Sequence, residues 1–392
     1  MSHRASPAWS QRFTDPALFE REQERLGAAW TLLAFTGELA RDGDWLRTTL
    51  GGRSIFVQRF GDELRGFENV CAHRFFPLRT AERGNGPIRC GFHHWQYNKE
   101  GAAAGIPKCK EMFGCGPREV GARLRRVEVA TCGALLFGRF GDADGEAGGD
   151  LSARGSGRES LEQYLGPGFP ILRAMTNVPR VPRCMRTALA ANWKLGYHIS
   201  LDDYHLVAVH PDTFGKGGYL DADVVRYYRF GSHSAYFHTG RDGDLAAMAA
   251  ACEGGSYRPD AYRVFQFFPN LLVSHVPIPG GCYGIVQQYR ALAVDRTELR
   301  TWLFPAPFPP ADQGARAALA RRLLGPLLPL VVPRRTRKIV GEDNAVCEQL
   351  QTVAAQARGE PHFARHEERI AWFTETYDAW LSGEAIPGAS AP

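Results

Sequence analysis

Residues 69–95 read NVCAHRFFPLRTAERGNGPIRCGFHHW, and within them Cys71, His73, Cys90 and His93 follow the pattern C-x-H-x16-C-x2-H. Two thiolates and two imidazoles suit either a zinc ion or a two-iron, two-sulfur cluster whose cysteines hold one iron and whose histidines hold the other. The order of the four separates these readings. Each short segment carries one Cys and one His, so two similar loops each supply one ligand of each kind, as a cluster with chemically different ends requires. A zinc finger pairs Cys with Cys and His with His. His94 fits neither ligand position and is expected at the surface or behind a ligand. Cys109 and Cys115 have no matching second pair and are expected as single packed or exposed thiols.

The flanking sequence is β-rich. LRTTL (46–50), RSIFVQRF (53–60) and LRGFENV (64–70) read as short strands, with Gly51-Gly52 as a hairpin turn. Strands return at 125–130 and 133–140. The stretch GDADGEAGGDLSARGSGRES (141–160) has one large apolar side chain, Leu151, and reads as a linker or surface loop. Beyond it the pattern becomes α+β. Strand-like runs at 224–230, 234–238, 263–268, 271–276 and 283–292 follow one another, which implies an antiparallel sheet. Residues 192–209, 314–324, 342–357 and 363–381 read as helical.

Within ANWKLGYHISLDDYHLVAVHP (191–211), His205 and His210 are five residues apart and Asp202 lies three before the first. On a helix Asp202 and His205 would be about 60° apart and could orient one another, whereas His205 and His210 would be about 140° apart. Both histidines can reach one metal only if the helix distorts or ends, and Pro211 directly after His210 favours an ending. Two imidazoles and one carboxylate with open positions form the arrangement of non-haem Fe(II) oxygenases. Asp203 reads as a solvated neighbour of Asp202. His198, four residues before Asp202, is open to two readings: a hydrogen-bonding partner in the relay, or a buried histidine satisfied by backbone.

Together, the first motif with its flanking Asn69, Arg74 and Trp95, Asn192-Trp193-Lys194, and Asp202-x-Tyr204-His205-x4-His210 resemble the α subunits of Rieske non-haem iron ring-hydroxylating oxygenases, from about residue 15 to 380. The resemblance implies an N-terminal all-β Rieske [2Fe-2S] domain inserted in or followed by an α+β catalytic domain with a central antiparallel sheet of the helix-grip, START-like kind. The expected division is an N-terminal segment 1–45 packing on the catalytic domain, the Rieske domain 46–140, the linker 141–160 and the catalytic domain 161–392. It implies Cys71, His73, Cys90 and His93 as cluster ligands, and His205, His210 and Asp343 as ligands of a mononuclear Fe(II). Asp343 comes from Glu342-Asp343-x4-Glu348-x2-Gln351, where Glu342 does not take the ligand role. Asp202 would bridge His205 to a cluster histidine, His93, of a neighbouring subunit in a head-to-tail trimer.

The implied activity is hydroxylation of an aromatic or similarly apolar substrate with O2 and electrons from a separate reductase or ferredoxin, NAD(P)H serving only indirectly. Oxidative N- or O-demethylation is the alternative within that chemistry; a substrate-free Rieske electron carrier or a zinc-stabilised binding protein lies outside it. Tyr227, Tyr228, Tyr236, Phe237, Phe265, Phe267, Leu272 and Val273 are candidate pocket residues, and Phe268-Pro269-Asn270 matches the family's pocket region. Four departures stand out. Phe75 and His94 occupy positions that are usually glycine, Gly91 one that is often proline, and His198-Ile199 the place of Glu-Asn.

Composition narrows the rest. The 392 residues are 44% hydrophobic and 23% charged, ordinary values for a globular chain. Lys+Arg number 47 against 42 Asp+Glu, too small an excess to indicate a nucleic-acid binder. Nine cysteines in a chain of this size point to reduced thiols or metal ligands. Neither a signal-like apolar core nor a span-length apolar run is present, so a cytoplasmic protein without membrane or nucleic-acid partners is expected. A homotrimer is expected, with or without a small β subunit.

Overall fold

The computed structural model describes residues 6–141, 159–212, 224–238, 244–278, 281–308 and 314–386. The chain divides into two units, Gln23–Tyr164 and Met1–Glu22 with Leu165–Pro392, so the first is inserted in the sequence of the second. All but the ends of the expected linker lies outside the described residues. The first unit begins well before residue 46, because Thr31–Phe35 is a strand of its main sheet.

After helices α1 (Gln11–Thr14) and α2 (Pro16–Ala28), the inserted unit contains β1 (Thr31–Phe35), β2 (Asp44–Leu50), β3 (Arg53–Phe60), β4 (Glu63–Glu68), β5 (Arg83–Asn85), β6 (Ile88–Arg89), β7 (Gln96–Tyr97) and β8 (Ala103–Gly105). Helix α3 (Cys109–Phe113), β9 (Arg126–Cys132) and β10 (Leu135–Phe140) complete it. Seven strands pair antiparallel in the order β1-β10-β9-β4-β3-β2-β5, beside a small sheet β6-β7-β8. The β2–β3 hairpin turns on Gly51 and Gly52, at φ +53° and +72°, a left-handed pair that glycine adopts freely. Gly51 also has no room for a side chain, since a Cβ would sit 2.4 Å from the Gln23 carbonyl.

Successive strand residues point to opposite faces, and in β3 Ile55, Phe56 and Val57 are all fully buried. Ile55 and Val57 join Leu33, Leu46 and Leu136 in one core. Phe56 faces the other way and packs with Phe67, Cys71, Cys90, Trp95 and Tyr97. The continuous apolar run thus supports both faces, and Phe56 underlies the cysteine loops.

The second unit adds α4 (Leu161–Leu165), which begins just before its boundary, α5 (Gly168–Thr176), β11 (Cys184–Leu189), α6 (Trp193–Ile199), α7 (Leu206–Val209), β12 (Val225–Phe230), β13 (His233–His238) and α8 (Leu245–Glu253). Next come β14 (Arg263–Phe267), β15 (Leu271–Ile278), β16 (Gly281–Ala293), β17 (Arg296–Pro305), α9 (Gly314–Leu324), α10 (Leu328–Val353) and α11 (Glu368–Ser382). Its sheet runs β11-β17-β16-β15-β14-β13-β12, every neighbouring pair antiparallel. The fold is α+β, as expected. Among the described residues no helix is long and apolar enough to cross a membrane.

The sheet's register sorts the candidate pocket residues. Tyr227, Tyr236, Val264 and Leu272 share one face, which also carries Gln266, and Gln266 Nε2 donates to the Ser200 carbonyl at 3.0 Å. Tyr228, Phe237, Phe265, Phe267 and Val273 lie on the other, where Phe267 packs so close to Gly168 of α5 that a Cβ there would be 2.6 Å from its ring. Not all eight candidates can therefore line one cavity: alternation along the strands places five of them on the face opposite Tyr227, Tyr236 and Leu272. Phe268 is core as well, packed with Trp193, Tyr197 and Phe373, and Asn270 Nδ2 donates to the Tyr289 carbonyl at 2.9 Å.

The Asn-Trp-Lys element starts α6. Asn192 Oδ1 accepts the Lys194 N–H at 3.0 Å as an N-cap. Trp193 Nε1 and Lys194 Nζ donate to the two oxygens of Glu22 at 2.9 and 2.6 Å, and Tyr377 Oη donates to the same carboxylate. Glu22 is fully buried and is the only carboxylate paired with Lys194 among the described residues. Glu22→Ala should lower stability by about 3–5 kcal/mol, because a buried ammonium loses its counter-charge. Equilibrium denaturation followed by tryptophan fluorescence would show it, and a loss below about 1 kcal/mol would contradict this account.

Candidate metal centres

In the inserted unit, two loops repeat one backbone pattern. The Cys71 N–H donates to the Phe76 carbonyl and the Phe75 N–H to that of Cys71, at 2.9 and 3.0 Å; Cys90 and His94 do the same with Trp95 and Cys90, at 2.8 and 3.1 Å. In each loop the fourth residue after the cysteine is left-handed, Phe75 at φ +58° and His94 at +61°. These are the two positions where glycine is usual. A non-glycine residue there costs about 1–2 kcal/mol, which the flanking hydrogen bonds offset, and both side chains point to solvent.

Cys71 and Cys90 are buried at the base of the loops. Burial raises the Cys90 thiol pKa against the opposing backbone N–H groups of Phe92 and His93. The His73 ring lies flat on Trp95, centroids 4.6 Å apart, and edge-on to His93 at 4.6 Å. Burial, with His93 and Arg74 nearby, lowers the His73 pKa and favours the neutral imidazole that a ligand must be. Its Nδ1 is buried without a protein partner, an orphan that a metal would satisfy. Two buried sulfurs beside two adjacent imidazoles fit a cluster with unlike ends. Cys109 joins this core and Cys115 is half-buried; none of the nine cysteines forms a disulfide.

Tyr97 is a contributor that spacing alone does not reveal. Its Oη accepts the Ala72 N–H at 3.0 Å, leaving its proton for Cys71 Sγ at 3.1 Å. A hydrogen bond to a ligand sulfur favours the more negative, reduced cluster. Tyr97→Phe should lower the cluster potential by roughly 40 mV, the equivalent of about 1 kcal/mol for one electron. A redox titration followed by EPR would read this, and an unchanged potential would remove Tyr97 from the account.

In the second unit, the expected helix over 192–209 is two helices. α6 ends at Ile199 in a turn where the Leu201 and Asp202 N–H groups both donate to the His198 carbonyl. Asp202 does not share a helix face with His205: its Oδ1 accepts the N–H groups of Tyr204 and His205 at 2.7 and 3.2 Å, starting the single turn of α7. A side chain that satisfies the backbone in a turn competes with continued helix. His205 and His210 flank α7, and His210, before Pro211, leaves the helical region at φ −120°.

Asp203 is not solvated. It is buried, with Oδ2 2.6 Å from Arg369 Nη2, and Arg369 lies over the rings of Tyr227 and Tyr236 at 5.4 and 5.5 Å. Asp203 thus points inward, while its neighbour Asp202 is only half-buried. His198 is buried, as the second reading has it, but without a backbone partner at Nε2. It stacks on Trp9 and meets Phe13 and Phe373 edge-on. Burial, with Lys194 and Arg12 nearby, pushes its pKa down to about 3. Ile199 packs with Phe13, Leu189 and Cys347.

Asp343 comes from the middle of α10. Its Oδ1 is 2.8 Å from His210 Nε2 and 3.5 Å from His205 Nε2, and one atom from each of the three residues lies within 4.8 Å of the others. Burial alone would lower the His205 pKa, but Asp202 and Asp343 hold it at about 9. The Asp343 carboxyl is lowered despite its burial, because both histidines face it. The convergent atoms of this two-His, one-carboxylate set can hold one metal ion, with few protein groups to fill further positions. Helix α10 is held in register by the rest of its motif: Glu348 and Gln351 accept the N–H groups of Ala190 and Asn192 at 3.1 and 2.9 Å, and Cys347 Sγ meets the Leu195 carbonyl at 3.5 Å.

Residues 29–126 match the family model described as Rieske [2Fe-2S] domain, and residues 173–383 match that of the ring hydroxylating alpha subunit (catalytic domain). The chain belongs to the Rieske-type ring-hydroxylating oxygenase α subunits, a family built around a [2Fe-2S] cluster and a mononuclear iron. It is 32% identical over 211 residues to the terephthalate 1,2-dioxygenase terminal oxygenase component subunit alpha 2 of Comamonas sp., covering 50% of this chain and 47% of the relative. It is 25% identical over 273 residues to the carnitine monooxygenase oxygenase subunit of Escherichia coli K12, covering 68% and 67%. For several of the similar relatives the match spans about half of their length. Naphthalene 1,2-dioxygenase from Rhodococcus sp. superposes with a TM-score of 0.70 at 20% identity, over 96% of this chain and 95% of that one, a likeness of fold.

Proposed function

We propose that this chain is a terminal oxygenase that hydroxylates an aromatic or similarly apolar substrate, using O2 and electrons from a separate reductase or ferredoxin. The observation that carries the reading is the convergence of His205, His210 and Asp343 in a chain that also presents the paired Cys-His loops. Cys71, His73, Cys90 and His93 would hold the cluster, and the other three the iron. When bound, the cluster supplies single electrons and the iron supplies O2 activation.

The chain's own residues set the conditions for that chemistry. Tyr97 and the backbone donors stabilise negative charge on the cysteine sulfurs. Asp343 faces the Nε2 atoms of both histidines, and Gln266 and Arg369 tie the histidine loop to the sheet and to α11. Asp202 would join His205 to His93 of the next subunit in a homotrimer, with or without a β subunit. Oxidative demethylation is the second reading, favoured by the similarity to a carnitine monooxygenase.

The test has two parts. Protein purified without oxygen should be brown-red and contain three irons per chain, two of them in the cluster. With a surrogate reductase it should then form product from at least one aromatic acid, amine or heterocycle. Colourless protein containing zinc would refute the assignment, and formaldehyde released from a methylated substrate would favour the second reading.

A further inference from the structure

Helix α10 places two adjacent carboxylates against opposite nitrogens of one imidazole. Asp343 Oδ1 is 2.8 Å from His210 Nε2, and Glu342 Oε2 is 2.6 Å from His210 Nδ1. The ring between them is 1% exposed. The other oxygen of Glu342 lies 3.7 Å from Lys338 Nζ, one turn back along α10, and Lys338 Nζ reaches Asp212 Oδ2 at 3.1 Å. Asp212 is two residues past His210, so the contact returns to the strand of chain that carries the histidine. His205 has no equivalent clamp, since its Nδ1 lies 3.7 Å from Asp202, beyond hydrogen-bonding distance.

We propose that Glu342 is the positioning residue for His210: it accepts the Nδ1 proton, fixes the tautomer and ring orientation, and leaves the Nε2 lone pair directed at the metal. The inference rests on His210 and Asp343 being iron ligands. An imidazole can turn about its Cβ–Cγ bond and carry its proton on either nitrogen, and a carboxylate behind it removes both freedoms while making it a stronger donor. Glu342 and Asp343 stand on one rigid helix, so the same element supplies a ligand and orients a second. Lys338, hydrogen-bonded to Asp212, places a positive charge 3.7 Å from the other Glu342 oxygen.

The experiment uses the full-length, cluster-containing protein stripped of its mononuclear iron. Ferrous affinity is measured anaerobically by competition with a fluorescent chelator, and the EPR spectrum of the nitric oxide complex reports the ligand field. Glu342→Ala should weaken iron binding about 10–100-fold and change that spectrum, while cluster absorbance and thermal midpoint stay as in wild type. Glu342→Gln keeps an acceptor for the Nδ1 proton but loses the charge, and should fall between the two. Wild-type affinity and spectrum in Glu342→Ala would overturn the proposal; if that variant does not fold, the same result in Glu342→Gln would do so.

Asp343→Ala, assayed alongside, separates the two levels of inference. Loss of iron in Asp343→Ala together with wild-type behaviour of Glu342→Ala would remove Glu342 and leave the ligand set intact. Loss of iron in Glu342→Ala with iron retained in Asp343→Ala would make Glu342 the ligand and overturn the ligand set as well.

Discussion

Asp343→Ala should yield a protein that keeps the colour and the reducible spectrum of its cluster, contains close to two irons per chain instead of three, and forms no product. The expectation follows from how few groups converge. Apart from the Cys-His loops, only His205, His210 and Asp343 bring three metal-binding side chains together among the described residues, and Asp343 supplies the only negative charge of the three. Removing it leaves two neutral ligands, and the helix that presented it stays anchored through Glu348 and Gln351. His205→Ala and His210→Ala should behave alike. The cysteine loops belong to the other compact unit, so the cluster spectrum should not depend on this ligand set. If Asp343→Ala retained its iron and its turnover, the ligand would have to be sought elsewhere, first at Glu342.

How far the sequence reaches depends on whether the deciding interaction is local. The β2–β3 hairpin is legible because Gly51 and Gly52 and the run Ile55–Val57 carry their own instructions: a left-handed turn, then a strand buried on both faces. The end of α6 was partly legible. Pro211 and the five-residue spacing of the histidines require a break, but the break falls earlier, where Asp202 spends its side chain on the backbone of Tyr204 and His205. Strand alternation was legible in principle and decides which aromatic residues share a face, but only once pairing fixes which face each strand turns toward the helices.

Long-range partners were not legible. Asp203 reads as a solvated neighbour of Asp202, and nothing nearby in sequence shows that it is buried against Arg369. Nothing near Lys194 in sequence shows that it is buried against Glu22. The same holds at α10, where two adjacent acids could each be a ligand. The resemblance chose Asp343, but the contact of Glu342 with the far nitrogen of His210 becomes visible only when residues more than a hundred positions apart meet. Ligand type and spacing are written in the sequence; the groups that orient the ligands are written in the fold.

Asp202→Asn tests the remaining link, between the centres. The substitution keeps the Oδ1 acceptor for the Tyr204 and His205 N–H groups, so the turn that presents His205 should form as before. It removes the charge from Oδ2, which lies 3.7 Å from His205 Nδ1, helps to raise the His205 pKa and, in the proposed trimer, reaches His93 of the next subunit. Iron content and reduction of the cluster by dithionite should therefore match wild type. Product formed in a single turnover from the reduced cluster should fall about 10–100-fold, because the defect lies in communication between the centres and not in either one. An exposed turn residue without that role would lose little, so a variant retaining most of its single-turnover product would return Asp202 to a capping function alone. Outright loss of iron would instead place Asp202 among the metal ligands and reopen the assignment of Asp343.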